Sequence, residues 1–247
     1  MDLPAAEQTE AFAEILREIQ AEIALAQERS VYAAPRVQLL AVSKTVDCCR
    51  AAACWQAGQA LGLAGLAENK VQELAQKCAQ LPPEVCWHFI GHLQTNKVKQ
   101  VLGRAALLHA LDSWRLALEL ERRAAALDIT AKCLVEVNVA AEASKFGLAP
   151  AEVWDFLREV ATLPHVRICG LMTVAPAAEN PEEARPIFAE LRRMRDMMRQ
   201  RVEKVAYSNL DLQELSMGMS NDYKVAVEEG ATIVRLGSVI FGDRIYR

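Results

Sequence analysis

Lys44 is the first residue whose setting points to chemistry. It follows the apolar run Leu39-Leu40-Ala41-Val42 after a single serine, Ser43, so its stem leaves a buried strand at that strand's end. A lysine in a loop is ordinarily solvated, and position alone does not exclude that. An amine partly desolvated by apolar walls has a lowered pKa, because burial disfavours the cation. Such an amine is a nucleophile and can condense with an aldehyde to a Schiff base.

Two turns near the chain end have the composition of phosphate sites. Leu215-Ser216-Met217-Gly218-Met219-Ser220 leads into a helical stretch, Asn221–Glu229. There Gly218 permits close backbone approach, and Ser220 places a hydroxyl where amides and dipole favour an anion. Gly237-Ser238 offers amides and one more hydroxyl. Either turn alone is ordinary; both together, after consecutive strands, carry more weight. Arg235 lies inside the apolar string Thr232-Ile233-Val234-Arg235-Leu236. A buried guanidinium is costly unless paired or hydrogen-bonded, which leaves two readings: an internal salt bridge, to Glu214 or Glu136 for instance, or a donor facing a ligand. His88 and His92, four apart, resemble metal bait, but no third ligand is in register and no H-E-x-x-H occurs. No metal is expected. Lys97 and Lys99 on the next helix read as a solvated face.

These residues need a scaffold that gathers strand ends. Apolar runs recur at Val37–Val42, Leu61–Leu66, Val85–Ile90, Ala106–Leu111, Cys133–Val139, Val166–Met172, Leu210–Leu215 and Thr232–Leu236. Several lack alternating polar positions, as parallel strands buried on both faces should. Helical stretches separate them: Asp47–Ala57 and Asn69–Ala79, each opening on a capping residue, then Ser113–Ala126, Pro150–Ala161, Glu182–Val202 and Asn221–Glu229. A further helix, Ala5–Gln27, precedes the first strand. Eight strands alternating with helices over 247 residues predict a (β/α)8 barrel, a TIM barrel. An open doubly wound sheet is the other possibility, but no G-x-G-x-x-G follows an early strand. In a barrel the residues after each run, including Lys44, Asn69, His92, Asp112, Asn138, Thr173 and Ser220, share the C-terminal face.

Composition narrows the partners. The chain is 52% hydrophobic with a formal charge of -4, which disfavours nucleic acid or an anionic membrane as the main partner. No apolar run reaches a membrane-spanning length, and the acidic start MDLPAAEQTE is no signal peptide. Seven cysteines without metal-type spacing read as buried, reduced thiols of a cytoplasmic protein.

Six blocks in order then identify a resemblance. They are Ala41-Val42-Ser43-Lys44-Thr45; Glu68-Asn69 with Val71-Gln72-Glu73; Trp87 to Gln94 with Asn96-Lys97; Gly170-Leu171-Met172; Leu215 to Ser220; and Val234-Arg235-Leu236-Gly237 with Ile240-Phe241-Gly242. Together, over Val37 to Tyr246, they resemble the pyridoxal-phosphate homeostasis protein family. The resemblance implies a single-domain barrel over residues 1–247, with residues 1–30 as a helical extension. It would be like the N-terminal half of alanine racemase, the type III fold of pyridoxal-phosphate proteins without the C-terminal β domain. By it, Lys44 would form the Schiff base with pyridoxal 5′-phosphate and Arg235 would face the pyridine nitrogen. Ser220, Gly237 and Ser238 would hold the phosphate, Asn69 would line the cofactor, and Ser216 would sit close by. The family usually reads Phe-Gly-Glu-Asn-Tyr where this chain has Leu66-Ala67-Glu68-Asn69-Lys70, and the stretch 60–65 before it is longer than usual.

An arginine beside the pyridine nitrogen disfavours its protonation and makes the ring a poorer electron sink. A racemase also needs a second acid/base, which alanine racemase-like enzymes take from a tyrosine in that extra domain. The sequence ends at Arg247, shortly after the eighth run, so the domain is not expected; His88 or Tyr223 could substitute, but nothing positions either. The expectation is a monomeric, non-enzymatic carrier in vitamin B6 and amino-acid homeostasis, with apo pyridoxal-phosphate enzymes as recipients. The alternatives are a weak amino-acid racemase, or a barrel that binds a non-aldehyde phosphoester.

Overall fold

The structure is a computed structural model that describes residues 5–32, 34, 36–142, 146–205 and 207–242. Of the resembling stretch, Tyr246 lies outside the described residues. The elements run α1 (Ala5–Glu28), β1 (Gln38–Val42), α2 (Cys48–Gln59), β2 (Leu63–Glu68), α3 (Val71–Gln80), β3 (Trp87–Phe89), α4 (Val98–Val101) and β4 (Ala105–Leu111). They continue α5 (Trp114–Leu127), β5 (Ala131–Glu136), α6 (Val153–Val160), β6 (Val166–Met172), α7 (Arg185–Val205), β7 (Leu210–Ser216), α8 (Tyr223–Glu228), β8 (Ile233–Leu236) and α9 (Ser238–Phe241). The strands pair in parallel and in sequence order into a closed barrel. Its seam joins β8 to β1, with Leu40 opposite Arg235 and Ala41 opposite Leu236.

Strand alternation divides the core in two. Leu39 and Ala41 join the large cluster between strands and helices, whereas Leu40 and Val42 point into the barrel. The interior cluster adds Ala67, Leu107, Ala110, Leu134, Met172 and Ile233. Arg235, opposite Leu40 and two residues on from Ile233, therefore faces inward too. Helix α1 buries Phe12, Leu16, Ile19, Ile23 and Ala26, a stripe at helical spacing. It lies against α2 and α8, with Phe12 edge-on to Phe241 of α9 at 5.5 Å.

Several boundaries move. The second strand spans Leu63–Glu68 because Ala60–Gly62 close the end of α2, Leu61 N–H bonding Gly58 O at 3.0 Å. The fifth begins at Ala131 and stops at Glu136, after which Asn138 turns back onto Glu142. Asn69 does not cap α3: the helix starts at Val71, and Lys70 holds the cap position without a side-chain bond. What reads as a plain turn after the eighth run is the short helix α9. Of the cysteines, only Cys54 and Cys133 are fully buried, and Cys49 is exposed; all seven are free thiols. Among the described residues no helix is long and apolar enough to cross a membrane.

Candidate functional site

Lys44 sits half-buried in the turn after β1, and both its neighbours are tied down. Ser43 is buried; its hydroxyl donates to Glu68 Oε1 at 2.6 Å and its carbonyl accepts Lys77 Nζ at 2.6 Å. Lys77 also pairs with Glu68 Oε1 at 2.6 Å, so a buried ion pair from β2 and α3 underlies the lysine turn. Burial pushes the Glu68 carboxyl up, against the pull of Lys77 and Ser43. Thr45 adopts φ 65, a left-handed conformation that a β-branched residue rarely takes. Its N–H donates to Glu73 Oε2 at 2.7 Å, which anchors that strained residue. Sequence reasoning missed Glu68, Glu73 and Lys77 as a unit. The only available signal was the helical spacing of Glu73 and Lys77 shortly after the strand-end Glu68.

The loops after β7 and β8 meet. Ser220 Oγ accepts Gly237 N–H at 3.2 Å and, more weakly, Val239 N–H at 3.4 Å. Gly218, with φ +93, carries no Cβ because one would lie 2.6 Å from the Ala226 Cβ; its close approach serves α8. Gly237 differs. A Cβ there would reach the protein only at Val42, at an ordinary 3.6 Å, and would project into open space beside β1. That space is a cavity of about 140 Å³ bounded by Lys44, Thr45, Asp47, Arg50, Gly237 and Ser238 among others. Lys44, Gly237 and Ser238 are thus brought together. Asn69 directly follows β2, the strand paired with β1, and there Gly91 must lack a side chain because a Cβ would meet the Asn69 carbonyl at 2.1 Å. The buried Asn69 Oδ1 has no hydrogen-bond partner. Two amides that only a serine oxygen now occupies and a glycine facing the cavity fit an anionic group beside Lys44, while the orphaned Asn69 acceptor fits a donor on a ligand.

Arg235 is buried beneath this mouth. Nη1 donates to Ser216 Oγ at 2.5 Å and Nη2 to the Thr173 carbonyl at 2.9 Å. Neither suggested salt bridge forms. Glu214 binds Gln38 and Thr232 toward the other end of the barrel, while Glu136 acts on Arg235 only through space. Burial lowers the Arg235 pKa to about 10, opposed by Glu136 and Asp222, and at neutral pH it stays a cation. Ser216 Oγ lies 2.9 Å from His109 Nδ1, and His109 Nε2 lies 2.9 Å from His88 Nδ1. His109 was missed, although a histidine within the apolar Ala106–Leu111 run is the same signal that exposed Arg235.

The two histidines of the Trp87–Gln94 block diverge: His88 points into the barrel, whereas His92 pairs with Asp112 at 2.7 Å and stacks on Phe146 at 4.2 Å. Among the described residues no His, Cys, Asp or Glu group has metal-binding geometry. Tyr223 is also turned away, its hydroxyl donating to Glu22 of α1. Lys70 is exposed and pairs with Glu73 at 3.6 Å, while Ala67 packs in the barrel interior. A larger cavity, about 830 Å³, opens at the opposite end of the strands beside Gln38 and Thr232, remote from Lys44.

A strand-end lysine beside two converging glycine- and serine-bearing loops, with an arginine below, defines a class of barrel that gathers an amine and anion-type donors at one mouth. Residues 5–245 match the family model described as alanine racemase, N-terminal domain. The pyridoxal phosphate homeostasis protein of Aquifex aeolicus is 45% identical over 186 residues, 75% of this chain and 79% of that one. The structure of PipY from Synechococcus elongatus with PLP bound is 33% identical, covers 94% of this chain and all of that one, and superposes with a TM-score of 0.77. An alanine racemase from Clostridium difficile, 13% identical with a TM-score of 0.66, covers 94% of this chain and 57% of that one and shares the fold alone. The chain belongs to the alanine racemase N-terminal domain family, and within it to the pyridoxal phosphate homeostasis proteins.

Proposed function

We propose that this chain binds pyridoxal 5′-phosphate reversibly at Lys44 and takes part in vitamin B6 and amino-acid homeostasis as a carrier. The bound group supplies an aldehyde carbon that condenses reversibly with a primary amine. The observation that carries the proposal is the cavity shared by Lys44, Gly237 and Ser238. Lys44 supplies the amine from a turn held at Ser43 and Thr45. The Gly237 and Val239 amides, released from Ser220 Oγ, and the Ser220 and Ser238 hydroxyls would grip the phosphate, and Asn69 would bond the ring's polar edge. Arg235, seated by Ser216 and Thr173, would face the pyridine nitrogen and keep it unprotonated. That placement weakens the ring as an electron sink and supports holding over catalysis. The PLP-bound relative and the names of the close relatives support the same reading. Recipients would be apo enzymes that use the cofactor, reached by a cytoplasmic monomer.

The experiment is borohydride reduction after loading, followed by mass mapping. The adduct is expected on Lys44, and Lys44→Ala should neither trap cofactor nor charge apo enzymes at the parent's rate. Reduction that marks another side chain, or none, overturns the proposal. Sustained deuterium exchange at the α-carbon of added amino acids would instead favour a racemase. Against that alternative, both residues that could serve as a second acid/base, His88 and Tyr223, are engaged elsewhere, on His109 and Glu22.

A further inference from the structure

A polar thread crosses the apolar barrel interior. From the site downward it runs Thr173 carbonyl, Arg235, Ser216, His109, His88 and Cys86. The contacts are 2.9 and 2.5 Å at Arg235, then 2.9, 2.9 and finally 3.7 Å to the Cys86 sulfur. Ser216 and His109 are fully buried, and His88 nearly so. The lower end opens on a separate cavity of about 440 Å³ at the N-terminal ends of the strands, lined by Cys86 and His88.

Donor and acceptor arithmetic leaves little freedom here. Arg235 can only donate, so Ser216 Oγ accepts from it. Both imidazoles are neutral: burial lowers His88 to about 4 and His109 well below its ordinary value, with His88 and Arg235 adding to the effect on His109. A contact between two neutral imidazoles needs one donor and one acceptor nitrogen. In one arrangement Ser216 O–H donates to His109 Nδ1, His109 Nε2–H to His88 Nδ1, and His88 Nε2–H to Cys86. In the reverse arrangement His109 Nδ1–H donates to Ser216. The Ser216 hydroxyl proton then has no acceptor among the described residues, which is costly for a buried group. The first arrangement satisfies every member.

We infer that His109, in its Nε2–H tautomer, is a positioning residue for Arg235: its Nδ1 accepts the Ser216 O–H, so that Ser216 shows the guanidinium only lone pairs. Arg235 is thereby fixed in plane between Ser216 and the Thr173 carbonyl. This goes beyond the proposed cofactor site and rests on it only for the functional consequence. The thread itself is a property of the protein without any ligand.

Two variants separate the halves of the imidazole. Asparagine at 109 places an acceptor near the Nδ1 position and keeps the Ser216 bond; glutamine reaches the Nε2 position and keeps only the His88 bond. His109→Asn should bind pyridoxal phosphate within about twofold of the parent. His109→Gln should bind it about tenfold more weakly, the scale of one lost hydrogen bond at a charged partner. The bound-cofactor absorption spectrum should move in His109→Gln alone. Thermal unfolding of both variants shows whether they fold equally; a merely structural histidine would make affinity follow stability in both. Nitrogen NMR of the ligand-free parent should show His88 and His109 as neutral Nε2–H tautomers across about pH 5.5 to 8, a range that brackets the ordinary histidine pKa. A His109 Nδ1–H tautomer, or equal affinities in the two variants, overturns the inference. If the parent fails to trap cofactor on Lys44, the site reading falls, while the tautomer result still decides the thread.

Discussion

Gly237 separates the demands of folding from those of binding. No backbone or side chain crowds its Cβ position, the nearest atoms being Val42 Cβ and O at 3.6 Å, and its φ of -119 is not left-handed. Gly237→Ala should therefore change stability by no more than about 1 kcal/mol, because the methyl meets only Val42 at ordinary contact distance. The added methyl would stand in the cavity beside Lys44, so affinity for pyridoxal phosphate should fall by tenfold or more, on the order of 1.4 kcal/mol. Urea unfolding and a binding titration on the same variant check both halves, and unchanged affinity would remove Gly237 from the site. At this scale Lys44 and Arg235 are legible in the sequence because a charge touching an apolar run must be explained. Asn69 is only half legible. Its type suggests a helix cap, and only the later start of α3 shows that its side chain is spent on no such bond.

The lysine turn depends on three elements that the sequence presents separately. Buried parallel strands declare themselves as apolar runs, so β1 could be read directly, whereas β2 reads two residues early, at Leu61–Leu66, and the register that sets Ser43 beside Glu68 comes from the structure. The ion pair could not be read: Lys77 lies on α3 among residues that look like an exposed helix face, yet it is 3% exposed and bonded to Ser43. Helix amphipathicity predicts which face is buried, not that a cation on that face meets a carboxylate from a strand end. Lys77→Met leaves Glu68 buried without its counter-charge and should cost about 3–5 kcal/mol. Adding Glu68→Gln should restore part of that loss, because the uncompensated charge disappears. Chemical denaturation of the two single variants and the double variant gives the coupling. Strict additivity would mean that the pair does not act as a unit. The lysine turn should loosen in Lys77→Met, so its trapping rate at Lys44 should fall even at a temperature where the variant remains folded.

Closing the barrel brings together charges that lie far apart in the sequence. Glu136, at the end of β5, has its carboxyl pushed up to about 7, first by burial and then by Asp112 across the mouth; Arg235 and His92 pull the other way. The folded protein thus holds a proton at Glu136 that an unfolded carboxyl releases near 4.5. Its contribution to stability is complete below that value and is lost as pH rises through about 7. The buried histidines act with the opposite sign. His88 is depressed to about 4, so its contribution is full above the ordinary 6.5 and is lost as the solution is acidified. Because the two trends oppose each other between pH 5 and 6.5, the parent's stability curve alone does not reveal either. Glu136→Gln removes one of them and keeps the shape of the side chain. Between about pH 5 and pH 8 the parent should lose stability relative to Glu136→Gln by on the order of 2–3 kcal/mol. Urea midpoints at both pH values measure that difference directly. Parallel curves would show that the mouth of the barrel accommodates the ionised carboxylate as easily as water does, and that Glu136 holds its proton no more tightly than an unfolded carboxyl.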